Sequence, residues 1–240
     1  MLFFYIFVFM INRVRNTVLS IINKDNNGYI TPDEFNLFAT QAQLERFEEY
    51  FSDYTLAIQK LNAHQNGSGY ADTLKRCEDV IDYFTIPELP LVFDGSGFPL
   101  PSDLYKLERL NYVKTRNIEK ISQNKANLLL FSNLTPPSLV WPYYSISGNV
   151  ATVYPSSIDS NVTANYIRYP LTPKWTYVVA AGADAPLFNI SASDYQDFEL
   201  PISDEMNLIV RILQMAGISI REEQVVQAAK AEEIQDKQER

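Results

Sequence analysis

From Pro32 to about Leu61, the side chains Phe35, Phe38, Leu44, Phe47, Phe51, Tyr54, Ile58 and Leu61 recur mostly at three- and four-residue steps. That is the period of one long amphipathic helix, which must lay its apolar stripe against another element. Shorter helical patterns flank it. Asn12 to Ile22 places Val14, Val18, Ile21 and Ile22 on one face, and Asp72 to Phe84 carries Leu74, Val80, Ile81 and Phe84. Gln65-Asn66-Gly67-Ser68-Gly69 breaks the pattern between the long helix and the next, so the first third of the chain reads as a helical hairpin.

The character changes at about Thr85. Pro87, Pro90, Pro99 and Pro101 appear, and Gly95 and Gly97 mark a turn. Tyr105–Val113 and Asn117–Ile121 read as strands, the second followed by a short helix entered at Ser122. Val140–Ile146 and Val150–Tyr154 flank Ser147-Gly148-Asn149, a hairpin signal because Gly and Asn accept positive φ. Val162–Tyr169 adds another strand. The set reads as an antiparallel meander with one packed face and one wet face.

The last third returns to helix. Ser203 is placed to cap a helix beginning at Asp204, with Met206, Ile209, Val210, Leu213 and Met215 as its buried stripe and Gly217 as its stop. Ser219 and Glu222 then form a capping-box pattern for a final helix carrying Val225, Val226 and Ile234. The expected fold class is α+β: an N-terminal helical hairpin, a central antiparallel β-meander, and C-terminal helices packing with the N-terminal ones. The boundaries fall at 10–84, 85–200 and 201–240, read as parts of one protomer.

Side-chain chemistry narrows the function. The chain has one histidine, His64, and one cysteine, Cys77, which rules out most His/Cys metal sites, Ser-His or Cys-His catalysis by ordinary arrangements, and an internal disulfide. Cys77 sits in a helical pattern as a small core residue. Net charge is -9, against a surface that grips nucleic acid by neutralising phosphates but compatible with a channel through which DNA passes. The 15 Tyr and 14 Phe suit either subunit interfaces or a tyrosine-rich β-core. Met1 to Phe9 is apolar but too short to span a bilayer and lacks the flanks of a signal peptide, so Met10 is the expected start.

The sharpest local motif runs from Asn23 to Glu34. It has the form of an EF-hand calcium loop, with Asn23, Asp25, Asn27, the Tyr29 carbonyl and Glu34 at ligand positions and Gly28 at the sharp turn. Asn stands at the first ligand position, and no second loop pairs with it. The same letters also make a tight turn at Asp25–Gly28, then Thr31 as N-cap, Pro32 at the first helical position and Glu34 closing a capping box. This reading needs no metal and is preferred; a single EF-hand-like calcium-binding interaction protein is the alternative, and a membrane-tethered host-interaction protein, relying on residues 1–9, is a third. Gly95-Ser96-Gly97 reads as a turn rather than a phosphate loop. The acidic pairs Glu48-Glu49, Glu222-Glu223 and Glu232-Glu233 read as solvated faces. Trp141, Tyr143 and Tyr144 read as strand packing, and Arg168, Lys174 and Trp175 as an interface cluster. No catalytic, cofactor-binding or metal-binding residue is assigned, and no cofactor is expected.

Several segments resemble a family of virion proteins encoded near the portal gene in crAss-like phages. They are the run Ile22 to Ala39, then Leu134-Thr135-Pro136-Pro137, Trp141-Pro142-Tyr143-Tyr144, Val153-Tyr154-Pro155, Tyr166-Ile167-Arg168-Tyr169-Pro170, Pro173-Lys174-Trp175, Phe198-Glu199-Leu200-Pro201 and Ala216-Gly217-Ile218. Their order covers most of the chain from Met10 to about Ala229. The resemblance implies a non-enzymatic structural subunit of the portal–tail connector: a homo-oligomeric, twelvefold ring stacked on the portal and other tail ring proteins. Double-stranded DNA would be only passing cargo, with no membrane partner. It implies location in the virion, and in the host cytoplasm during assembly.

Overall fold

The computed structural model describes residues 10–24, 30–62, 70–179 and 186–217. The apolar run before Met10, His64 and the final capping-box helix from Ser219 lie outside them, as do residues 25–29 of the Asn23–Glu34 loop. The chain forms two compact units: one made of residues up to Val80 together with those from Pro170 onward, the other of Ile81–Tyr169.

The first unit is helical. It contains α1 (Met10–Lys24), α2 (Pro32–Asn62), most of α3 (Tyr70–Phe84) and, near the C-terminus, α5 (Glu205–Met215), which packs on both α1 and α2. The expected C-terminal return onto the N-terminal helices is thus present. Val14, Val18 and Ile22 of α1 are buried as the spacing predicted. The buried stripe of α2 is not the most apolar one: Phe35 and Phe47 are buried, but so are Ala39, Ala42, Gln43, Arg46 and Tyr50. Two amides on one face of α2 splint the returning chain. Asn36 exchanges hydrogen bonds with the Trp175 backbone (2.8 and 3.2 Å), while Gln43 donates to the Leu171 carbonyl (2.8 Å) and accepts from the Glu199 amide (3.0 Å). Backbone groups of an irregular segment need partners, and α2 supplies them.

These ties explain why residues 170–200 belong with the helices rather than with the β-rich region in which the sequence placed them. That stretch carries a two-stranded hairpin, β8 (Tyr177–Val179) and β9 (Pro186–Phe188), whose inner residues Tyr177 and Phe188 stack on the buried indole of Trp175.

Two expectations for α5 are corrected. A 3-10 turn at Ile202–Asp204 precedes the helix, the N-cap is Asp204, and no side chain caps it, Ser203 included. The buried residues are Leu208, Ile209, Ile212 and Leu213, whereas Met206 and Val210 are exposed. The helix is entered one residue later than expected and meets two neighbours, so the stripe turns toward the pair of helices it packs against. Gly217 does take positive φ (69°) at the end of the helix.

The second unit is a seven-stranded sheet in the order β1-β7-β3-β4-β5-β6-β2. The strands are β1 (Thr85–Leu91), β2 (Phe98–Pro99), β3 (Leu104–Tyr112), β4 (Arg116–Lys120), β5 (Tyr143–Ser147), β6 (Val150–Tyr154) and β7 (Val162–Arg168). Every pairing is antiparallel except β4–β5, which is parallel because α4 (Gln123–Leu130) and a long segment carry the chain back between them. Ser122 caps α4 as expected, accepting from the Lys125 amide at 3.3 Å. The last strand, β7, lies between β1 and β3, so the unit's entering and leaving strands pair directly (Thr85 opposite Ile167). Leu110, Ile118, Tyr144, Ala151, Ala164 and Tyr166 lie in its core.

Gly95-Ser96-Gly97 is a turn, as expected: the Asp94 carboxylate accepts from the Ser96 and Gly97 amides at 2.8 and 2.9 Å. Gly97 has a second reason to be glycine. A Cβ there would lie 2.6 Å from Val150 Cγ1 and 2.9 Å from the Ala151 carbonyl oxygen. Gly97→Ala is therefore expected to lower stability by about 1–3 kcal/mol through overpacking at the β2–β6 contact, read as a lower urea midpoint at unchanged m-value.

Candidate functional site

Among the described residues, several side chains able to do chemistry are engaged with their neighbours. Thr31 and Glu34 form the capping box predicted from the sequence: the Glu34 carboxylate accepts from the Thr31 amide (2.9 Å) and hydroxyl (2.8 Å), and Thr31 Oγ1 accepts from the Glu34 amide (3.3 Å). The backbone hydrogen bond from Thr31, then the one from its hydroxyl, holds the Glu34 carboxyl below the ordinary value. The one glutamate that an EF-hand would need as a bidentate ligand is engaged with its own helix start.

A denser cluster joins α2 to α5. Asp204, buried, accepts from Arg46 Nε (3.1 Å) and from the Tyr50 hydroxyl (2.5 Å), while Arg46 also reaches Glu49 (2.9 Å). Arg211 of α5 bonds Glu45 at 3.1 Å and also contacts Glu49. Burial works against the Arg46 charge, but Asp204 foremost, with Tyr50 and Glu49, keeps the guanidinium firmly protonated. Burial, then the bond to Asp204, pushes the Tyr50 hydroxyl well above its usual range. Each acid of the cluster faces a base, and the buried Asp204 carboxylate is engaged by both Arg46 and Tyr50, which gives the cluster the form of a structural clamp between α2 and α5.

Glu49 therefore belongs to an ion-pair network and not to a simple solvated face as its pairing with Glu48 suggested. Burial raises its pKa, but the hydrogen bonds from Arg211 and Arg46 outweigh this and hold it below the ordinary 4.5. A depressed folded value means stability is fully present above 4.5 and is lost as pH falls through the folded value. The melting temperature is expected to fall on acidification below that point, and Glu49→Gln to flatten this part of the profile while leaving neutral-pH folding intact.

The residues singled out as a basic–aromatic cluster separate. Arg168 lies in the sheet unit, with its guanidinium over the Phe84 ring. Lys174 and Trp175 lie in the helical unit. Lys174 is exposed and pairs with Asp194 at 2.6 Å. Trp175 is core: Arg15 sits 3.7 Å above its ring and its indole N–H donates to Asn12 at 3.1 Å. Beside Lys174 an open groove of about 400 Å³ is lined by Asp33, Asn36, Thr40, Pro173 and Asp194. Its mixed charges pair with one another and give it no directed chemistry. Among the described residues no cluster of His, Cys, Asp and Glu could hold a metal ion, and no helix is long and apolar enough to cross a membrane.

What stands out instead is surface. No residue between Lys125 and Asp159 carries a charge. Within that stretch Leu128, Phe131, Leu134, Val140 and Trp141 are exposed, Phe131 by 89% and Leu134 by 91%. The expected strand from Val140 begins only at Tyr143, because Pro142 has no amide to donate. Trp141 is consequently exposed, not packed on the sheet, while Tyr144 is buried. The segment is held by its own serines. Ser132 Oγ accepts from the Leu134 and Thr135 amides and Ser138 Oγ from the Trp141 amide, and Arg116 donates to the Leu139 carbonyl at 2.7 Å. The result is an ordered, uncharged segment with several exposed large apolar side chains. Sequence reasoning missed it, although the uncharged stretch was there to see.

No protein-family model matches this chain, and no curated protein sequence matches it.

Proposed function

We propose that the chain is a non-enzymatic virion protein: a ring or adaptor subunit of the portal–tail connector of a crAss-like phage, bridging the portal to distal tail components around the DNA channel. The observation that carries a contact-making role is the ordered, uncharged, apolar segment Leu128–Trp141, with Phe131 and Leu134 about nine-tenths exposed. The family-level assignment rests on the succession of segments from Met10 to Ala229. A net charge of -9 agrees with a wall past which DNA slides without sticking. Mass spectrometry of purified virions tests the proposal: the chain is expected in a constant ratio near one copy per portal subunit, and its absence from virions would overturn it.

A further inference from the structure

We infer that the sheet of the second unit is closed to strand addition along β1. Pro87, Glu88 and Pro90 strip its open edge of backbone donors, so that neither a second copy of this chain nor an extended peptide can pair with it.

An edge strand presents a row of unpaired amides and carbonyls, and it templates another strand unless something spoils it. β1 is such an edge, standing first in the strand order and pairing with β7. At seven residues, Thr85–Leu91, it is long enough to take a partner. Pro87, Glu88 and Pro90 are all exposed on it.

Donors are what this edge lacks. Amides along a strand point alternately to its two sides, so an added strand draws one donor from every second residue. Pro90 lies opposite Thr163, between Leu89 (opposite Ala164) and Leu91 (opposite Val162). It has no amide to give β7, and the unbroken pairing around it places its nitrogen on the open side. The register shifts between Ile86 and Leu89, which sets Pro87 and Glu88 together against Asn165 as a bulge. Pro87 again has no amide. The Glu88 amide exists, but it donates to the Asn165 side-chain oxygen at 2.9 Å. Between Ile86 and Leu91 the open side of β1 therefore offers an incoming strand no donor.

The bulge adds two further obstacles. Glu88 takes positive φ (50°), which turns the backbone off the extended path a partner would follow. Its carboxylate pairs with Lys114 at 3.0 Å, so a strand laid along this edge would have to strip water from two charges. At the far end of the order, β2 is two residues long and one of them is Pro99. A partner of this unit must then be held through side chains and not through added backbone pairing.

The test uses the full chain with Pro87→Thr, Pro90→Thr and the double variant, read by sedimentation velocity and by hydrogen exchange of the peptide spanning residues 85–91. Threonine restores the amide and suits a strand. In the parent, exchange of that peptide is expected to be fast and independent of protein concentration. The double variant is expected to associate on the order of 10-fold more tightly than the parent, with the single variants between them. Its exchange over 85–91 is expected to slow as concentration rises. Slower exchange over 85–91 in the concentrated parent would overturn the inference, because the edge would already be in use. So would folded variants that associate like the parent, or tighter association that leaves this peptide's exchange unchanged. Circular dichroism establishes which variants fold, and the parent measurement keeps the inference open to refutation whichever of them do.

Discussion

Asp204→Ala is expected to lower the stability of the helical unit by about 3–5 kcal/mol, as breaking a buried ion pair from one side does. The Asp204 side chain is 3% exposed and that of Arg46 is 9% exposed. Removing the carboxylate takes the acceptor from the buried Tyr50 hydroxyl and leaves the Arg46 guanidinium with Glu49 alone. The sequence contains only two tryptophans, one in each unit, so in a Trp141→Phe background the fluorescence of Trp175 reports the helical unit alone. A shift in its urea midpoint worth under 1 kcal/mol would mean that Glu49, which Arg46 already bonds, and water suffice for the guanidinium once Asp204 is lost. Asp204→Ala combined with Arg46→Met is expected to recover most of the loss, because removing both charges of such a pair together costs little.

Trp175→Ala is expected to cost a similar amount, about 3–5 kcal/mol, for a different reason. The indole is 1% exposed, stacks on Tyr177 and Phe188, lies under Arg15, and donates to Asn12. Its loss opens a cavity, strands the Asn12 carbonyl, and takes away the bed of the hairpin. Trp175→Phe keeps a ring and loses mainly the N–H donor, so a cost of about 1–2 kcal/mol is expected. The two can be compared by far-UV circular dichroism in urea, and equal costs for Ala and Phe would mean that the hydrogen bond rather than the packing matters.

Local features were legible in the residues because their causes lie within a few positions. The span of α2, the Thr31–Glu34 box, the Ser122 cap, the Asp94 turn, the β5–β6 hairpin and the stop at Gly217 all stand close to where the patterns put them. Even there, the hairpin needs positive φ only at Gly148, while Asn149 spends its side-chain amide on the Leu100 carbonyl. The candidate surface was less legible. Trp141, Tyr143 and Tyr144 looked like one strand, and Pro142, with no amide to donate, together with the turn closed by Ser138, leaves Trp141 outside it.

By itself the sequence determined the α+β class, the places where helix gives way to strand, and the single histidine and single cysteine, since period, capping and composition are local or additive properties. Tertiary structure alone decided which partner each element has. It placed β7 between β1 and β3, made β4–β5 parallel, and returned residues 170–200 to the helices. It also set the Asp197 carboxylate on the amides of Met10 and Ile11, 2.9 and 2.8 Å away at the start of α1, as a cap supplied from the far end of the chain. Buried polar groups such as Gln43, Arg46 and Asp204 belong to this second kind. A polar residue in an apolar stripe looks like an error until the distant group that satisfies it is brought alongside, and chain closure over such separations leaves no periodic trace.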